Sequence, residues 1–313
     1  MSNLRRSDSV SVVMGSYNSA AWIAATIDSI LAQTHPVAEV VIIDDGSTDR
    51  TAEIANSYGS RILLVQEQHR GRPYRNRGIQ ASKGALVAFI DADDYWHPEK
   101  IERQLARMRE QRAEWVICEA EWLDMEAGRL IAPVGMAAME GDILEALFLH
   151  NFIVASTPVV ARRVLDAVGG FDESVDVAPV EDWDLWLRIA AMQPLACVRE
   201  RLATLRLHTD SFLASTPLTR RIQSLENVIN HSAEREPARL GPIRAVALHN
   251  AYFAAGVGAF RQGRTPEART YFLKAWRQHP TDFGALAYAG LSWMGPMASA
   301  RLLKLRRSLR DGR

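Results

Sequence analysis

Residues 86–94 read LVAFIDADD, and Tyr95, Trp96, His97 and Pro98 follow at once. The apolar run Leu86–Ile90 has the length of a strand buried on both faces. It ends in three carboxylates, Asp91, Asp93 and Asp94. Carboxylates this close repel one another and are costly to bury unpaired, so the spacing calls for a positive partner. A divalent cation at the carboxyl end of a strand answers that need, and open α/β sheets bind their ligands at that end. An acidic turn capping a helix near Pro98 is the structural alternative, for which one Asp would be enough.

Upstream, the chain repeats the pattern. Ser9–Gly15 (SVSVVMG) reads as a first strand, with Ser16, Tyr17 and Asn18 at its carboxyl end. Ser19 is then placed to cap a helix from Ala20 to Gln33, whose Trp22, Ile23, Ile27, Ile30 and Leu31 keep helical spacing. Glu39–Ile43 is a second strand running into Asp44, Asp45 and Asp49. Ser47, Thr48 or Asp49 suits the cap of a helix over Thr51–Tyr58. Arg61–Gln66 is a third strand. Glu67–Gly84 is basic and turn-rich, with Arg70, Arg72, Arg75, Arg77 and Lys83 just ahead of the acidic strand. Cations beside a carboxylate-bound metal are what a diphosphate requires, although some of them belong to a solvated loop.

This alternation describes a parallel, doubly wound sheet whose loops at Tyr17, Asp44/Asp45 and Asp91/Asp93/Asp94 converge on one crevice. MGSYNSA stands where a dinucleotide-binding dehydrogenase would carry Gly-x-Gly-x-x-Gly, and no Walker glycine loop is present.

Several stretches together resemble the inverting family 2 glycosyltransferases of the GT-A fold: VSVVMGSYNSAAWIAATIDSILAQT, VVIIDDGSTDRT, YRNRGIQASKG, FIDADDYW, VGGFDES, EDWDLWLRI and LRLH. The resemblance covers about residues 9–215 and departs at Gly15-Ser16, where the family usually has Pro-Thr or a similar pair. It implies an α/β fold of the GT-A nucleotide-diphospho-sugar transferase type. The central sheet is then mostly parallel with a Rossmann-like N-terminal half. The expected glycosyltransferase domain is 1–215, followed by an all-α region over 216–313.

The same resemblance implies roles. Tyr17 offers an aromatic face to a nucleobase, and Asp45 accepts the imide N–H of uracil or thymine. Asp44 holds the loop or touches the ribose. Asp91 and Asp93 form the Asp-x-Asp pair for Mn²⁺ or Mg²⁺, ions suited to hard oxygen ligands and a diphosphate. Arg75 contacts the diphosphate, and His208 completes the metal shell. Asp182 is the catalytic base, although its place at the start of a helix also suits an N-cap. Trp183 and Trp186 line the acceptor side or pack. The donor is expected to be a UDP- or dTDP-sugar, and the acceptor a saccharide or lipid-linked glycan of the cell surface. A binding-only module keeping Tyr17 and Asp45 is the first alternative. A sugar nucleotidyltransferase is the second, weakened by the lack of a cation in MGSYNSA.

The bulk numbers fit this picture. The 313 residues carry 37 Lys plus Arg against 37 Asp plus Glu, so no global charge points to nucleic acid. Cys118 and Cys197 lack zinc spacing and read as buried thiols of a reducing cytoplasm. No signal-peptide core follows Arg5-Arg6, and no run has the length of a membrane span. Beyond 216 the periodicity is helical, over Thr219–Arg235 and Ile243–Gln262. Residues 250–279 resemble one tetratricopeptide-type hairpin, a unit that packs on the catalytic domain or on another subunit of an oligomer. Phe283–Ala300 has no Lys or Arg, and six cations follow from Arg301 to Arg313. That arrangement fits a peripheral contact with the inner face of the cell membrane and fits a last buried helix equally.

Overall fold

The computed structural model describes residues 8–68, 75–131, 139–174, 176–208 and 216–293. Arg70, Arg72, Thr209–Ser211 and the basic tail from Arg301 lie outside these residues. The chain divides into two compact units, residues 1–147 with 151–216 and residues 148–150 with 217–313.

The first unit is built on a mixed sheet. Strands β1 (Val10–Ser16), β2 (Glu39–Asp44), β3 (Ile62–Gln66) and β4 (Leu86–Asp91) lie parallel in the order β3-β2-β1-β4. Helices α1 (Ile23–Leu31), α2 (Thr51–Ser57) and α3 (Arg75–Ala81) make the crossovers. The order then turns to β8 (Val159–Ala161), β6 (Trp115–Asp124), β9 (Ala196–Leu207) and β5 (Tyr95–Trp96), with β7 (Arg129–Ile131) paired to β6. Here β8 runs antiparallel to both of its neighbours, while β6 and β9 are parallel. The parallel half is the part expected from the sequence, and the three-residue β8 is too short to leave a periodic signal.

Register places the functional loops. Gly15 pairs with Asp91 and Ser16 with Asp44, so β1, β2 and β4 end at one level. The chain goes from β1 to β2 on one side and returns to β4 on the other. The crevice therefore opens at a topological switch point. Leu86–Ile90 is buried throughout, as a strand covered on both faces must be. Cys118 and Cys197 are buried and free.

An aromatic cluster ties helix α7 (Glu181–Ala190) to this strand. Phe89 of β4 lies 5.4 Å from Phe171 and 5.9 Å from Trp186, and Trp115 stacks on Trp186 at 6.3 Å. Each such pair contributes about 0.5–1.5 kcal/mol beyond its buried area. Trp183 donates its indole N–H to the Leu147 carbonyl at 2.9 Å. Both tryptophans therefore pack, and Trp186 fastens α7 to β4 and β6.

Helix α1 starts later than expected. Its N-cap is Trp22, and the Ser19 hydroxyl donates to the Tyr17 carbonyl instead of capping. Strand β9 is long, from Ala196 to Leu207. The exposed Arg199-Glu200-Arg201 lie where its pairing with β6 is irregular, and they hide the strand from a pattern reading.

The second unit is helical: α8 (Leu218–Arg235), α9 (Arg244–Arg261), α10 (Thr265–Gln278) and α11 (Phe283–Leu291). Ala259, Ala268, Phe272 and Ala289 form its core, with Phe253, Phe260 and Tyr288 against it. Gly256 is where α9 and α10 meet, since a Cβ there would lie 2.7 Å from the Phe272 ring. Pro266 opens α10 at a position where its missing N–H costs nothing. Among the described residues no helix is long and apolar enough to cross a membrane.

Candidate active site

The loops after β1 and β2 are laced together. Asn18, at φ +47°, donates its backbone N–H to the Ser47 hydroxyl, and its side-chain oxygen accepts the Thr48 N–H at 2.8 Å. Asp49 accepts the Ala20 N–H at 3.0 Å together with the N–H and hydroxyl of Thr51, the first residue of α2. Asp44 is buried and accepts the Ser47 N–H and hydroxyl, so it holds the turn from within. Asp45 is buried beside it and donates its backbone N–H to the Ser16 carbonyl at 2.9 Å. On this scaffold Tyr17 stands 42% exposed at the end of β1.

Arg75, the first residue of α3, joins two distant carboxylates. It donates to Asp91 through Nη2 and to Glu181 through Nη1 at 3.0 Å, with its guanidinium 5.8 Å from the Phe171 ring. Asn76, next to it, exchanges two hydrogen bonds with the Phe171 backbone, at 2.8 and 2.9 Å. Gly170 makes room for that clasp: its φ is +71°, and a Cβ would sit 2.5 Å from Asn76 Oδ1. The sequence reading did not assign Asn76 a role. Glu181 is the buried partner of Arg75, and its Oε2 has no hydrogen-bond partner among the described residues.

Asp182 is the second residue of α7, and the N-cap is Val180, so the capping alternative does not hold. Its Oδ1 accepts the Trp183 N–H at 2.7 Å. Burial, then the neighbouring Glu181, pushes its carboxyl up to about 7, against the opposing pull of Arg75. A base with its pKa near neutrality is matched to proton abstraction at physiological pH. Asp184, two residues further along α7, is buried and paired with Arg188 at 2.8 Å.

The acidic strand end is answered from far along the chain. His208 Nε2 lies 3.1 Å from Asp93 Oδ2, and its ring packs on Trp22 at 4.9 Å between centroids. Arg206 donates to the Asp93 carbonyl at 3.0 Å, with its guanidinium over Tyr95 and Trp22. Asp94 is buried, accepting from the Ser156 hydroxyl at 2.5 Å and from the Arg206 N–H at 3.3 Å. Burial and the charge of its neighbours raise the carboxyl of Asp93, and that of Asp94 well above the ordinary range. Such a cluster favours a cation. Among the described residues no group of three or more His, Cys, Asp or Glu side chains is arranged to hold a metal. The adjacent oxygen of Asp93 and nitrogen of His208 would fit one divalent ion that took its other ligands from a diphosphate and water. Asp91 is instead engaged by Arg75.

The fold is that of the GT-A class, a mixed sheet with a Rossmann-like parallel half. The family model described as glycosyl transferase family 2 matches residues 11–131. The chain is 32% identical over 183 residues to the Escherichia coli UDP-Glc:alpha-D-GlcNAc-diphosphoundecaprenol beta-1,3-glucosyltransferase WfaP, covering 58% of this chain and 69% of that protein. An uncharacterized glycosyltransferase of Rickettsia prowazekii is 31% identical over 205 residues, 64% of each chain. The structure of Staphylococcus aureus TarS 1–349 in complex with UDP-GlcNAc superposes with a TM-score of 0.67 at 18% identity, covering 97% of this chain and 92% of that one. The chain belongs to glycosyltransferase family 2.

Proposed function

We propose that the protein is a metal-dependent, inverting glycosyltransferase that moves a sugar from a UDP- or dTDP-sugar to an acceptor hydroxyl in cell-surface polysaccharide synthesis. The observation that carries this reading is the bridge from Asp91 through Arg75 to Glu181, next to an Asp182 carboxyl raised to about 7. It connects a strand end suited to a diphosphate with a base suited to an acceptor hydroxyl.

In this reading Tyr17 stacks on the pyrimidine and Asp45 accepts its N3–H, with Asp44 holding the turn beneath them. Arg75 turns from Asp91 towards the diphosphate when donor binds. Asp93 and His208, with Asp91 on the donor side, would hold Mn²⁺ or Mg²⁺, which supplies Lewis-acid neutralisation of the leaving diphosphate. Asp182 takes the proton of the acceptor hydroxyl. The acceptor oxygen then attacks the anomeric carbon from the side opposite the diphosphate, a carbon–oxygen bond forms, and the glycosyl–phosphate bond breaks. The nucleoside diphosphate leaves with the electron pair, and the anomeric centre inverts.

The name of WfaP describes transfer from UDP-Glc onto a lipid-diphosphate-linked sugar. That supports a uridine donor and a lipid-linked or saccharide acceptor for this chain, at the cytoplasmic face of a membrane. The second unit serves location or acceptor handling: Phe283 and Trp293 are 74% and 75% exposed, and six cations follow in the sequence from 301 to 313. Sedimentation with anionic and neutral liposomes, comparing the full chain with one stopped after Pro280, tests this part. Equal binding by both would remove it.

The central test is nucleoside diphosphate release from a panel of UDP-, dTDP- and GDP-sugars, with saccharide and polyprenyl-diphosphate-linked acceptors. We expect release from a uridine or thymidine donor, arrested by EDTA. Asp182→Asn should keep donor affinity while turnover falls by about 10²–10⁴-fold. Silence across the panel, or pyrophosphate release from a nucleoside triphosphate, would overturn the reading.

A further inference from the structure

Asp94 directly follows the Asp-x-Asp pair, yet its contacts are unlike those of its neighbours. It is buried, and protein donors on two other strands or loops approach its two oxygens. Oδ2 accepts from the hydroxyl of Ser156 at 2.5 Å, and Oδ1 accepts from the backbone N–H of Arg206 at 3.3 Å. Ser156, itself fully buried, does more than donate. Its Oγ accepts the backbone N–H of Asp91 at 3.0 Å, and its carbonyl accepts the indole N–H of Trp96 at 2.8 Å. One hydroxyl thus touches the residues on both sides of Asp93, while Asp94 grips the strand that ends in His208.

We propose that Ser156 and Asp94 form a clamp that positions the metal pair, and that Asp94 is not itself a ligand. Ser156 fixes the turn between Asp91 and Asp94 and so sets where Asp93 points. Asp94, through the Arg206 N–H, draws the end of β9 inward and sets His208 at 3.1 Å from Asp93. The Arg206 side chain closes the same loop from outside by donating to the Asp93 carbonyl at 3.0 Å. Supporting groups of this kind orient metal-binding side chains, and their loss weakens metal affinity by about 10–100-fold. Ser156 is a positioning residue, and Thr26 assists it with a hydroxyl 2.8 and 2.7 Å from the Ala92 and Asp94 carbonyls, which share its one proton.

The proposal rests on the metal-dependent reading above, and its test separates the two. Binding of Mn²⁺ in the presence of UDP is titrated on the full-length protein by the loss of the free-ion electron paramagnetic resonance signal, without turnover. We expect Ser156→Ala to weaken Mn²⁺ binding by about tenfold or more. It should also raise the Mn²⁺ requirement of the reaction while kcat at saturating Mn²⁺ stays within about threefold of the parent, a split that general destabilisation does not produce. Asp94→Asn keeps the shape and an acceptor for the Arg206 N–H, and should bind Mn²⁺ within about threefold of the parent, whereas Asp94→Ala should match Ser156→Ala. Ser156→Ala binding like the parent would overturn the clamp. So would Asp94→Asn losing Mn²⁺ as completely as Asp93→Ala, because Asp94 would then be a ligand. A parent protein that binds no Mn²⁺ would bring down the metal reading itself, and the clamp with it.

Discussion

Two acidic clusters stand at the ends of neighbouring parallel strands, Asp44/Asp45/Asp49 after β2 and Asp91/Asp93/Asp94 after β4, and they are satisfied in different ways. In the first, Asp44 and Asp49 are met by groups close by in the fold: Ser47 for one, Thr51 and Ala20 for the other. These are hydroxyls and backbone N–H groups, the ordinary chemistry of turns and helix starts. In the second, the partners are Arg75, His208, Ser156 and the Arg206 N–H, brought from 16 to 115 residues away. Three of these are side chains and one is a backbone N–H; burial and the crowding of the neighbouring carboxylates outweigh them and keep the carboxyls of Asp93 and Asp94 raised. Asp44 and Asp49 serve local structure. The second cluster joins distant segments of the chain.

Substitution should therefore divide the two clusters cleanly. The largest effect is expected at Asp93→Ala, which removes a donor from the Asp93–His208 pair. UDP binding in the presence of Mn²⁺, followed by calorimetry, should weaken by about 100-fold with little change in melting temperature. A large fall in melting temperature with donor binding retained would put Asp93 in the structural class of Asp44.

Asp182 gives an intermediate effect, and its sign depends on pH. Its carboxyl is raised from 3.8 to about 7 in the folded protein, so the folded state binds the proton more tightly than the unfolded state. Stability therefore falls as pH rises from about 4 through 7, and the cost is fully present above 7. Asp182→Asn removes that cost and should stabilise the protein at pH 8 by about 1–3 kcal/mol, with little gain at pH 4. Denaturant titrations at the two pH values check this. An active-site group held at the expense of stability is the expected pattern for a site selected for chemistry.

Among the acidic strand ends, the smaller effect on UDP binding is expected at Asp44→Ala, which leaves the Ser47 N–H and hydroxyl without their acceptor. Stability should drop by about 1–3 kcal/mol, with UDP affinity reduced only a few-fold. Loss of UDP binding as complete as that at Asp93 would mean that Asp44 meets the nucleotide directly, and the contrast between the clusters would fail.

The same contrast explains what could be read in the sequence. The first four strands and the helices between them are continuous runs whose burial is written locally, and Tyr17, Asp45 and the Asp-x-Asp pair follow from standing at their ends. Arg75, Asp182 and His208 were placed by resemblance and not by pattern; the structure sets Arg75 beside Asp91 and His208 beside Asp93. Ser156, Asn76 and the part played by Glu181 were not legible. Ser156 lies in an irregular stretch before a three-residue strand, 62 residues from Asp94, and nothing near it in the chain marks it. Asn76 acts 95 residues away on the Phe171 backbone. Contacts of this range exist only once the sheet has folded.

The account turns on Asp182 as the group that accepts the proton, and the pH dependence of kcat/KM tests it most directly. With its carboxyl raised to about 7, the active form is the ionised one. With donor, Mn²⁺ and acceptor supplied, kcat/KM should rise about tenfold per pH unit below 7 and level off above it, and this limb should be absent from the residual activity of Asp182→Asn. A parent profile that is flat from pH 5 to 8, or a limb near 7 that survives in Asp182→Asn, would contradict the assignment.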